Sequence, residues 1–117
     1  MHRRQFLTFN MKLNEVQDMA YEMTTLIDGK MKGEHDSDTT IIHIYEEIGE
    51  ISRQLYNKKI GRMDLDKDNL AEEIVDAVML LLHLSKVHNI DMEKEVQKKL
   101  AKLKQRHSEL DWKTIGL

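Results

Sequence analysis

The chain of 117 residues contains no proline at all. Proline removes a backbone donor and clashes with the preceding turn, so it is the main breaker of helix interiors. Without it, helical runs are interrupted only by glycines and polar stretches. Aromatic residues make up only 5% of the chain, and Leu, Ile, Met and Val supply its apolar side chains. Strands draw on aromatic and β-branched residues, so this balance also points to an all-α fold. The length suits one domain. A chain of this size can bury roughly two thirds of its unfolded surface, enough for a modest core.

Several function classes fall away on composition. There are 18 basic and 21 acidic residues, for a net charge of −3, which argues against a general nucleic-acid-binding surface. The longest apolar run, "AVMLLLHL" at 77–84, is far short of the ~20 residues that cross a bilayer. The absence of cysteine excludes disulfides and thiolate metal sites, and fits a reducing, cytoplasmic setting. The opening "MHRRQFLTFN" is basic but has no long apolar stretch or small-residue cleavage site, so it does not read as a signal peptide. Residues 1–10 read as an N-terminal arm or tail, 11–110 as the helical domain and 111–117 as a C-terminal tail. Met11 is a candidate alternative start.

Four helical segments follow from capping and turn signals. The first covers about 14–30, with Asn14 as N-cap and Gly29 near its end. The second covers about 40–57, with Thr39 or Thr40 as cap. Gly61 marks the next turn. The third covers about 69–88, capped by Asp68 or Asn69, and the fourth about 92–108, capped by Asp91.

At ~100° per residue, Ile41, Ile44, Ile48, Ile51 and Leu55 form one stripe of the second helix. Glu47 borders that stripe, and Glu50, His43 and Gln54 lie just beyond it. Glu46 points well away. The third helix is apolar almost all round from Ile74 to Leu84, apart from Asp76 and His83. Such a helix is buried in a bundle or in an oligomer interface. The fourth carries Met92, Val96, Leu100, Leu103 and Leu110 as a stripe, flanked by Lys99, Lys102 and Arg106.

Two helices therefore each present an acidic pair at i,i+3: Glu47 with Glu50, and Glu73 with Asp76. Acidic pairs at this spacing are ordinary on solvated faces. Two of them beside apolar stripes, one at the start of a nearly continuous apolar run, are not. An unpaired carboxylate buried there would cost several kcal/mol, on the order of a lost charge pair. If the helices pack side by side, four carboxylates converge and need a cation. Oxygen-only donors select a hard ion, Mg²⁺ or Mn²⁺ in its place. Lys99, Lys102 and Arg106 can then hold a polyphosphate, although basic residues on a helix are more often a solvated face. His83 and His43 read as hydrogen-bonded core histidines. A di-iron bundle would use Glu-x-x-His pairs, and none is present.

The motifs "EEIGE" at 46–50 and "EIVD" at 73–76, in that order on successive helices, resemble those of the MazG-like all-α nucleoside triphosphate pyrophosphatases. The resemblance covers roughly residues 13–108. It implies a four-helix bundle assembled as a homodimer or as a dimer of dimers. It also implies Mg²⁺-dependent hydrolysis of a nucleoside triphosphate to the monophosphate and pyrophosphate, of a house-cleaning kind that removes non-standard or excess nucleotides. Glu47, Glu50, Glu73 and Asp76 would be the metal ligands, with Glu46 acting beside Glu47 and Glu50 to orient water. Lys99 and Arg106 can be laid on the family's basic positions of the last helix. Leu103 falls where an asparagine is usual. Tyr56 and Tyr21 are the nearby aromatic candidates for a base platform, and Leu80 stands where some members have an aromatic.

Two other readings remain at this point. One keeps the chemistry and changes the substrate to phosphoribosyl-ATP. The other is a non-catalytic, metal-binding helical oligomerisation module, motivated by the apolar third helix.

Overall fold

Aspartates cap three of the four α-helices. The computed structural model describes residues 10–31 and 35–117, so the expected N-terminal arm lies outside the described residues except for Asn10. Four α-helices follow in order: α1 Leu13–Met31, α2 Ser37–Lys59, α3 Lys67–Val87 and α4 Met92–Arg106. A short 3-10 helix, Trp112–Ile115, closes the chain. The described residues contain no strand, and the fold is all-α as the sequence implies.

The caps of α2 and α3 fall upstream of the expected ones, and α1 begins one residue before its expected cap. Asp36 caps α2, its Oδ1 accepting the Thr39 amide at 2.9 Å. Thr39 is thus a donor within the first turn, and Thr40 is fully buried. Asp66 caps α3 by accepting the Asn69 amide at 3.1 Å, so Asp68 and Asn69 lie inside the helix. A carboxylate there also meets the positive end of the helix dipole, and it displaces weaker caps downstream. In α1, Asn14 lies inside the helix, and Glu15 instead accepts the Lys12 amide at 3.4 Å. Asp91 caps α4 as expected, accepting the Lys94 amide at 3.1 Å. The break before it runs through Asn89, whose φ of 55° is left-handed. Asparagine tolerates that conformation. Gly61 takes φ of 73° in the turn after α2, where a side chain would be strained.

The helix α3 is the centre of the molecule. It packs against α2 and α1, while α4 leans more lightly on α1. Ala20, Ile44, Ala77, Leu80 and Leu82 form the buried core. Gln17, itself buried, ties three elements together. Its Nε2 donates to Ser85 Oγ at 2.7 Å and to the Ile90 carbonyl at 2.6 Å, and its Oε1 accepts the Met92 amide at 3.2 Å. An amide taken out of water needs such partners.

Much of the expected apolar surface stays open in the single chain. Ile41, Ile48 and Leu55 of α2, and Ile74, Val75, Val78 and Leu81 of α3, are exposed, Val75 at 57%. The α4 stripe is likewise open at Val96 and Leu100, and Leu110, expected to extend it, lies past the end of the helix and is exposed. The radius of gyration is 17.8 Å, against about 13 Å for a compact domain of this length. No described helix is long and apolar enough to cross a membrane.

Candidate metal centre

Packing α2 against α3 brings carboxylates from both helices together. Glu47, Glu73 and Asp76 each offer an oxygen, and these oxygens lie within 4.8 Å of one another. Glu47 and Glu73 are half-buried and Asp76 is exposed. The Oε2 atoms of Glu47 and Glu73 are both buried and receive no hydrogen bond. Unsatisfied buried acceptors are costly, and a hard cation is the partner that several converging carboxylate oxygens fit.

The electrostatics carry the same signature. The Glu73 carboxyl is held above its ordinary range, first by the Glu47 carboxyl lying against it, with desolvation and the Glu47 and Asp76 charges acting in the same sense and the Glu50 carboxyl opposing them. Glu50 is also raised, chiefly by the close Glu73 carboxyl and its charge. Crowded carboxylates favour holding a proton. Glu50 therefore stands beside Glu73 although it lies outside the three-residue group, and its side chain is exposed. Glu46 is exposed and is not part of the group.

The remaining sequence candidates are dispersed. Lys99, Lys102 and Arg106 are exposed on α4, with no ion pair among the described residues. Tyr56 lines a separate groove of about 700 Å³ with Gly49, Ser52, Arg53, Asn57 and Arg62. A side chain added at Gly49 would meet nothing within 4 Å in this chain. Tyr21 stacks on the His83 ring at 5.2 Å. Leu80 is buried, and it lines a cavity of about 350 Å³ that also reaches Glu47 and Asp76.

His35 and His43 line the same cavity, and His83 packs against His35 from a neighbouring one. His83 is the core histidine the sequence leads one to expect: it is buried, and its Nε2 donates to the His35 carbonyl at 2.8 Å. His43 differs from that expectation. It is 40% exposed and its Nε2 lies 3.3 Å from Glu47 Oε1. Its Nδ1 meets His35 Nε2 at 3.0 Å. His35 in turn donates from Nδ1 to Asp28 Oδ1 at 2.7 Å and from its backbone amide to Asp28 Oδ2 at 2.9 Å. Asp28 and His35 are missing from the sequence candidates. The one legible signal is that His43 and Glu47 stand four residues apart on a helix, within side-chain reach.

A family model, the MazG nucleotide pyrophosphohydrolase domain, matches residues 35–110. That range holds both acidic motifs. Comparisons with curated proteins and with solved structures return no match.

Proposed function

Because the chain belongs to the MazG nucleotide pyrophosphohydrolase family, we propose that it hydrolyses a nucleoside triphosphate to the monophosphate and pyrophosphate with Mg²⁺, Mn²⁺ serving in its place. The observation that carries this reading is the Glu47, Glu73 and Asp76 group, with its two buried, donor-free oxygens. Those three residues would hold the ion, with Glu50 joining from beside Glu73. Bound there, the cation supplies positive charge for phosphate oxygens and acidifies water. Glu46 lies on the outer side of the same helix turn, where it can orient solvent. Lys99, Lys102 and Arg106 offer charge to a polyphosphate, and Tyr56 offers a ring to the base.

A second copy of this chain is the proposed partner, as a homodimer or a homotetramer. The open apolar faces of α2 and α3 and the large radius of gyration support it. A house-cleaning role in the cytoplasm accords with a small cysteine-free chain that has no nucleic-acid-binding charge pattern.

The test is a panel of common and modified NTPs and dNTPs, together with phosphoribosyl-ATP, incubated with purified protein and Mg²⁺ while pyrophosphate is assayed. Turnover of at least one nucleotide, lost in Asp76→Asn, is expected. A panel with no turnover above that variant overturns the enzyme reading. Thermal melts then examine the oligomerisation module. A midpoint raised by metal alone, with no nucleotide effect, favours it.

A further inference from the structure

The Asp28–His35–His43 chain has no role in the reading above, and it ends on a residue of the acidic group. We infer that Asp28, His35 and His43 are positioning residues that fix the carboxylate of Glu47 for a divalent cation. The inference rests on the proposed metal centre, and it adds three residues outside the two acidic motifs.

The geometry is directional. Glu47 has two oxygens in different situations. Oε1 faces His43 Nε2 at 3.3 Å, and Oε2 is buried without a donor. One oxygen is thus tethered while the other is left free for an ion. A free glutamate side chain samples several rotamers, and a second contact on its carboxyl restricts them. The tether needs its own support, because His43 is partly exposed. That support comes from His35, whose ring nitrogen lies 3.0 Å from His43 Nδ1 and whose ring stacks on it with centroids 5.3 Å apart.

His35 is fixed at three points. Asp28 accepts from both its ring and its backbone amide, and His83 donates to its carbonyl. Asp28 belongs to α1, His43 and Glu47 to α2, and His83 to α3. The chain of contacts therefore refers the position of one carboxylate to three helices. Outer groups of this kind commonly set metal affinity by orienting the ligand they touch.

The test uses the full chain, stripped of metal by chelation, and Mn²⁺ alone as the probe, with free Mn²⁺ read by electron paramagnetic resonance. His43→Ala is expected to weaken Mn²⁺ binding about 10- to 100-fold. His43→Gln, whose amide can still donate to Glu47, is expected to recover most of that loss. Asp28→Asn, nearly identical in shape, is expected to weaken binding by a smaller factor. A merely structural histidine would lower the melting temperature without this order of affinities. Wild-type binding that is unchanged in His43→Ala overturns the inference and leaves the metal centre standing. If His43→Ala loses its helical circular dichroism, Asp28→Asn decides instead, and unchanged affinity there overturns the inference. A wild-type chain that binds no Mn²⁺ removes the metal centre and the inference together.

Discussion

The acidic face between α2 and α3 and the basic flank of α4 carry similar numbers of charges in opposite physical settings. Glu47 and Glu73 are half-buried and crowded by other carboxylates, and His43, itself paired with His35, reaches Glu47. Lys99, Lys102 and Arg106 stand on the helix that packs least, exposed and without ion pairs among the described residues. The acids are held where repulsion makes them unfavourable alone, so their placement implies a cation. The lysines and arginine are comfortable in water, so their placement implies nothing until a ligand arrives. Charge that is costly where it sits is more informative than charge that is not.

The contrast can be broken by substitution. Glu47→Gln, Glu73→Gln or Asp76→Asn is expected to lower the rate of pyrophosphate release by about a thousandfold or more, because each would remove a proposed ligand of the ion. Lys99→Ala and Arg106→Ala are expected to raise KM about fivefold each while leaving kcat close to wild type, as exposed charges contribute little. Equal losses in the two sets would erase the distinction. Glu46→Gln should lose less than about tenfold, and complete loss there would move Glu46 onto the metal-facing side.

Stability of the metal-free chain sharpens the same comparison. Glu73 and Glu50 hold their protons more tightly folded than unfolded, against an ordinary value of 4.5. Below that value both states are protonated at these groups. As pH rises from there through the raised folded values, the unfolded chain ionises first, and the folded state loses stability. Glu73→Gln should therefore gain on wild type in thermal melts as pH rises through this window. Divalent metal should cancel the advantage. A Glu73→Gln chain that melts lower than wild type without metal, across the window, would contradict a crowded acidic site.

The sequence made the helices legible because their apolar periodicity and the lack of proline agree. Capping was misjudged wherever a better acceptor lay a few residues upstream, as with Asp36 before Thr39 and Asp66 before Asp68. The acidic motifs were legible for a different reason, since i,i+3 spacing places two carboxylates on one face whatever the tertiary packing. The partners of Glu47 were not. Asp28 stands in the last turn of α1 and His35 precedes α2, and no periodicity relates positions across that connection. Ile48 and Val75 lie on apolar faces that a single chain leaves open. Their exposure depends on what covers the bundle from outside, and periodicity reports only which residues share a face.

The most direct measurement is the product analysis by phosphorus-31 NMR during turnover of the best nucleotide with Mg²⁺. The account predicts pyrophosphate and nucleoside monophosphate in equal amounts, with neither appearing when Asp76→Asn replaces the wild-type chain. Orthophosphate and nucleoside diphosphate as the products, or the same products at an undiminished rate from Asp76→Asn, would contradict it.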